Sequence, residues 1–254
     1  MTDQMSFSTL PWVPRSLNYP AFISVITPIL DLSRKYGINR MREQIQGHLE
    51  SDWPQTLKEW DKLEREIEFM GNDSGAHDNC LPETVATIKL ARQFDIPSIL
   101  PAAFYHLSRL SILNDWDKAH ADPSTHIRNP TKRTAQWGLL SAKDFHCLLL
   151  GKAELAEFLQ GCIDVGGLRH QKDSIWGGKT SLDGECEAGK GLWKDLCDRC
   201  SRSADPLALL RSSVGSKVAE VKCSTCTKRL VEEIARARAK VWEKLGDLFH
   251  LEDE

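Results

Sequence analysis

Four cysteines stand in two C-x2-C pairs, Cys197-Asp-Arg-Cys200 and Cys223-Ser-Thr-Cys226, with 22 residues between the pairs. Four thiolates can enclose zinc tetrahedrally, and a two-residue spacing lets a tight turn aim both sulfurs of a pair at one ion. The interval slightly exceeds the 15–20 residues of the usual pattern. Such a site leaves no open coordination position, so it would hold helices together and transform nothing. A second account places Cys197 and Cys200 on helical turns, in line with Leu192 and Leu196, as small buried apolar residues. A redox C-x-x-C pair is a third, but it belongs at a helix start after a strand, and no such strand precedes either pair. Cys186 can add a further sulfur, while Cys80, Cys147 and Cys162 read as core or loop residues.

Other chemical signals fall away on inspection. His120, Asp122 and His126 lie in a proline-broken polar stretch with no fourth ligand fixed, and read as a solvated loop. Gly177-Gly178-Lys179-Thr180 has the ending of a phosphate-binding loop. Its first glycine is missing, because Asp173 stands there, and no apolar strand leads into it. No Ser-His-Asp or Cys-His set can be singled out, so a catalytic residue is not expected and the chain reads as non-enzymatic. Arg236, Arg238 and Lys240 are interleaved with Glu232, Glu233 and Glu243 at helical spacing, which favours intrahelical pairs over a nucleic-acid patch. Trp12, Trp116, Trp137 and Trp176 fall in loops, either as partner anchors or as lids on the core.

Composition sets the frame for these residues. The chain has 254 residues, of which 41% are apolar and 27% charged, with a formal net charge of −3. That supports one large or two small cores. It lacks the basic surplus a general nucleic-acid binder needs for counterion release. There is no apolar run long enough to span a bilayer, and the first residues show no basic start followed by an apolar stretch. The expectation is an intracellular protein of the cytoplasm or nucleus, where cysteines serve as thiols or metal ligands.

Hydrophobic spacing then predicts a mainly α fold, a helical, bundle-like arrangement in two blocks. Residues 1–20 carry Pro11, Pro14 and Pro20 and read as an extended leader. FISVI at 22–26 reads as a short strand remnant, after which Thr27 and Pro28 look like an N-cap and first helical residue. Gly37 stops that helix, Asn39 is placed to cap the next, and Pro54 closes the hairpin. Trp60, Leu63, Ile67 and Met70 make a third stripe, and Val85, Ile88, Ala91 and Phe94 a fourth. A helix opened by Pro101 presents Phe104, Leu107 and Leu110 on one side. Residues 71–79 and 164–190 are loops by glycine content, and the polar residues 114–136, with Pro123 and Pro130, are a surface linker. In the second block, 137–254, a capping box at Ser141 and Asp144 opens a helix that Gly151 ends, and Leu155, Phe158 and Leu159 continue in the next. The final stripe is Leu230, Ile234, Val241 and Leu245, with Trp242 beside it and Phe249 closing.

Several of these segments resemble the end of the BTB (POZ) domain and the helical region after it in fungal BTB-domain proteins. Leu30, Leu32, Lys35 and Tyr36 match a "leucine-x-leucine, lysine-tyrosine" helix. Trp53, Pro54, Thr56, Leu57 and Trp60 match the turn that follows, with tryptophan in place of phenylalanine. Leu100 to Tyr105 match a "leucine-proline-alanine-alanine-phenylalanine-tyrosine" segment, and Trp242, Leu245, Phe249 and Leu251 a closing pattern in which Gly246 replaces proline. The resemblance covers roughly residues 24–251. It implies that 21–52 are the C-terminal helices of a BTB-like domain and 53–113 a BACK-like helical block. The front half of that domain, with its sheet and first dimerisation helix, has no counterpart here, so helix 28–36 is expected to carry a bare apolar edge. The implied role is a protein–protein interaction module, a substrate adaptor or regulatory scaffold. Its implied partners are cullin-type ligases or transcription regulators. The alternative is a four-cysteine, zinc-stabilised domain that contacts protein or nucleic acid.

Overall fold

In a computed structural model the chain is described over residues 19–71, 83–121, 133–165, 187–216, 218 and 224–252. The described residues are mainly helical, with ten α-helices, two 3-10 turns and no strand. They divide into two compact units, Met1–Ser141 and Ala142–Glu254. No described helix is long and apolar enough to cross a membrane.

The first unit holds α1 (Tyr19–Tyr36), α2 (Asn39–Asp52), α3 (Leu57–Gly71), α4 (Thr84–Phe94), α5 (Leu100–Ser108) and the short α6 (Trp116–His120). In α1 the expected strand remnant and the Thr27 cap are both replaced by continuous helix, and Tyr19 and Pro20 already belong to it. The buried spacing Ile23, Ile26, Leu30, Ser33 runs straight past Pro28. Burying that stripe outweighs the one backbone hydrogen bond a proline removes. The Thr27 hydroxyl, free of any capping duty, donates to the Ile23 carbonyl at 2.7 Å. Gly37 ends α1 as expected: its φ of +64° is left-handed, and Ile38 N–H closes on the Ser33 carbonyl at 2.8 Å. Asn39 does not cap α2; it is the first helical residue, and Ile38 precedes it without a side-chain bond.

A signal overlooked in the sequence starts α3. Thr56 and Glu59 form a reciprocal capping box, Glu59 N–H donating to the Thr56 hydroxyl at 3.2 Å and Thr56 N–H to the Glu59 carboxylate at 3.0 Å. Gln55 N–H is the largest influence holding the Glu59 carboxyl below its usual range; burial opposes it, and the Thr56 N–H and hydroxyl and the Lys62 charge add to the lowering. The inward face of α3 is Trp60 and Glu64, whereas Leu63 and Ile67 are only half-buried.

The centre of this unit is the pair α4 and α5. The α4 stripe lies buried as its spacing demands. Its N-cap is Glu83, whose buried carboxylate accepts from Val85 and Ala86 N–H. Around α5 the burial is nearly complete from Leu100 to Ser108, rather than confined to one side. A helix apolar all round belongs in the middle of a core. Residues 114–136 are not a free linker where they are described. Trp116 and Ala135 are buried, and a bridge joins the two stretches: Trp116 N–H donates to the Ala135 carbonyl at 3.0 Å and Ala135 N–H to the Asn114 carbonyl at 3.1 Å. Gln136 N–H completes the attachment, donating to Glu83 at 2.9 Å. Trp116 is therefore a lid on the core, and the Trp137 indole donates to the Asn114 carbonyl at 3.2 Å.

The second unit holds α7 (Ala142–Val165), α8 (Glu187–Arg202), α9 (Pro206–Ser216) and α10 (Ser224–Leu248). Here α7 passes unbroken through Gly151, where a helix end was expected. The glycine serves packing: a Cβ on it would stand 2.6 Å from Phe249 Cγ and closer to the rest of the ring edge. Phe249 is buried just past α10, whose Leu230, Ile234, Val241 and Leu245 are all buried as expected. His250 at φ 51° reverses the chain, and its ring meets Glu154 of α7 at 2.6 Å. Gly151→Ala is expected to cost about 1–3 kcal/mol through overpacking. Gly161→Ala, on the same helix with nothing within 4 Å, should instead stabilise by about 0.5–1 kcal/mol. Urea midpoints of the two variants, moving in opposite directions, check this.

Candidate functional site

Two features of the first unit stand out: an apolar edge open to solvent and a polar cluster closed to it. At 3.6 residues per turn, Val25, Leu32 and Tyr36 fall on one stripe of α1, away from the buried stripe. They are 54%, 52% and 65% exposed, and Ile38 and Met41 continue the edge around the Gly37 corner at 45% and 36%. Large apolar side chains crowded on one short stretch differ from the scattered exposed hydrophobics of any surface. Lys35 lies with its ammonium 5.4 Å from the Tyr36 ring centre, which places charge at the margin. Of the residues that carry the resemblance here, Leu30 is core, while Leu32, Lys35 and Tyr36 face outward.

The polar cluster is built from α3, α5 and the stretch after it. Glu64 and Arg109 form a two-toothed ion pair at 2.8 and 2.9 Å, with both side chains only 11–12% exposed. Arg109 lies over the Trp60 ring at 4.8 Å and also reaches His106 Nδ1 at 2.9 Å. Arg133 approaches the other imidazole nitrogen, Nε2. Trp60 packs edge-on against Tyr105, 5.3 Å between centres at 75°, and Trp53 meets the His106 ring at 6.1 Å. Complete burial drives the His106 pKa well below its ordinary 6.5, and the charges of Arg133 and then Arg109 push it the same way. The imidazole is thus neutral at physiological pH, with one lone pair to offer.

The expected zinc ligands are placed only in part. Cys197 and Cys200 sit one turn apart on the inward face of α8, both buried, on the side that carries Trp193 and Leu196. That is the placement the core-cysteine account expects. It also puts both residues on one face of the helix, as half of a tetrahedral site requires. Cys223 and the Cys226 side chain lie outside the described residues, the backbone of Cys226 belonging to the first turn of α10. Among the described residues no three His, Cys, Asp or Glu side chains gather as metal ligands. Asp122, His126, Cys186 and the 177–180 glycine cluster also lie outside them.

What emerges is a mainly helical protein of two units, one with an open apolar edge. Comparison with known protein families, with curated proteins and with solved structures finds no match.

Proposed function

We propose that this chain is a non-enzymatic protein–protein interaction module resembling the C-terminal part of a fungal BTB-domain protein, acting as a substrate adaptor or regulatory scaffold in the cytoplasm or nucleus. The observation that carries this reading is the edge of Val25, Leu32, Tyr36, Ile38 and Met41. Such an edge suits a partner helix or sheet with an apolar face of its own, anchored on the tyrosine ring. Two of the resembling segments also meet in space: the turn with Trp53 and Trp60 packs on Tyr105 and His106 at the end of the 100–105 segment. The test is calorimetric titration with the amino-terminal region of a cullin, the partner class the resemblance implies. Leu32→Glu combined with Tyr36→Glu should weaken binding at least about 30-fold, since two lost anchors cost at least about 2 kcal/mol. Binding that ignores this variant, or no binding at all, removes the adaptor reading.

The second reading, a zinc-stabilised domain with four cysteine ligands contacting protein or nucleic acid, is favoured by the shared buried face of Cys197 and Cys200. It expects one zinc per chain after chelator-free purification, lost in Cys200→Ser. Zinc binding in finger peptides is about 10–16 kcal/mol, so a chelator should unfold the second unit. Metal-free protein with an unchanged melting curve would leave the cysteines as core residues.

A further inference from the structure

The exposed residues of α1 have a spacing of their own. Val25, Ile29, Leu32 and Tyr36 stand four, three and four residues apart; Ile29 is half-buried and the others are exposed. Alternating steps of three and four mark the seam along which one helix packs on another in a coiled coil. α1 therefore carries two apolar faces. One is the buried stripe of Ile23, Ile26 and Leu30, in a helix that rests on α2 and α4. The other faces water. At its Tyr36 end, Met41 stands one turn before the buried Ile45 and two before Leu49, so the core stripe of α2 also runs out into solvent at this corner.

Most of the charge around this corner has one sign. Lys35 and Arg40 are exposed, one residue before Tyr36 and Met41 respectively, and among the described residues neither is ion-paired with a carboxylate. Arg34 adds a third cation in the last turn of α1. Of the acids nearby in sequence, Asp31 accepts from Gln93 Nε2 of α4 at 3.3 Å, and Glu43 stands further along α2. A second copy of this chain would bring the same cations to the seam, and like charges at helical neighbours repel. Three cations also fall short of the about four to eight that mark a surface for anionic lipid. The local excess is notable in a chain whose formal net charge is −3.

We infer that the seam takes an amphipathic helix of a partner protein, apolar along its own three-four stripe and acidic along the flank that meets Lys35 and Arg40; the inference rests on the docking role proposed above and names the chemistry of what docks. The partner's apolar side chains seat between Val25, Ile29, Leu32 and Tyr36, and Ile38 and Met41 extend the contact past the corner. With Ile29 and Tyr36 at a positions and Val25 and Leu32 at d, Lys35 falls at g, where charge sets partner choice in paired helices. Carboxylates opposite Lys35 and Arg40 give register and select against basic helices.

The experiment titrates the full chain with two designed peptides of about 21 residues, three heptads with isoleucine at a and leucine at d. One carries glutamate at e and g and the other lysine, so that neither pairs with itself. Backbone amide shifts of Val25, Leu32, Tyr36, Ile38 and Met41 report the site. The acidic peptide should bind at least about 10-fold more tightly than the basic one, and the preference should shrink at high salt. Leu32→Glu should remove the binding. Lys35→Glu combined with Arg40→Glu, in a chain whose circular dichroism is unchanged, should invert the preference. No binding, equal binding of the two peptides, or a preference that survives the charge reversal would overturn the inference. So would shifts at these amides produced only by phosphatidylserine vesicles, or only by dimerisation of the chain itself. Peptide binding without cullin binding would remove the adaptor reading alone; cullin binding that depends on Leu32 and Tyr36, without peptide binding, would remove this inference alone.

Discussion

Trp60→Ala is expected to destabilise the first unit by about 3–5 kcal/mol, the range for emptying a large aromatic site. The side chain is 1% exposed and touches three different kinds of group. It gives its face to Arg109 at 4.8 Å and packs at an angle against Tyr105 and His106. The lost arginine contact alone is a term of about 0.5–2 kcal/mol. A domain with about 5–15 kcal/mol of total stability would be left marginal. Because the chain has two units, protection of α4 and α5 amides is the right measurement, with α10 as the internal control. A loss under about 1 kcal/mol would mean the cavity collapses and Trp60 is not the keystone of this unit.

Glu64→Ala is expected to cost a similar amount, about 3–5 kcal/mol, for an electrostatic reason. Removing the carboxylate leaves Arg109 largely shielded from water, beside an imidazole that cannot neutralise it and within reach of the group that Arg133 also faces. Lys62 and Glu66 on the same helix make an instructive contrast. That pair is 73% and 55% exposed, and breaking it should change stability by no more than about 1 kcal/mol. Replacing Glu64 and Arg109 together by leucine should recover much of the loss, since the penalty comes from the orphaned charge and not from the absent attraction. Urea unfolding of the single and double variants distinguishes these outcomes. A double variant no better than Glu64→Ala would show that the pair itself, and not its neutrality, holds α3 to α5.

Much of the helical layout was legible because it rests on local periodicity. The stripes at 85–94 and 230–245 lie buried where their spacing put them, and Gly37 turns the chain as a left-handed residue should. The failures came where a local punctuation mark was overruled from a distance. Pro28 is inside α1, and Gly151 is inside α7 under the ring of Phe249, a residue far along the chain. One failure was avoidable, since Thr56 and Glu59 spell a capping box in the sequence itself.

From its residues alone this protein was bound to be helical, because a 3.6-residue repeat is written into neighbours a turn apart; the bare apolar edge on its first helix was expected only from the resemblance. Tertiary structure alone decided that Glu64, His106, Arg109 and Arg133 share one closed cluster, and that residues 114–116 and 133–136 are tied to the core rather than adrift. Glu64 lies 45 residues from Arg109, and Arg133 lies 27 from His106. No periodicity links such positions; the need of a buried charge for a partner does, and only the folded chain says which partner is near enough to supply it.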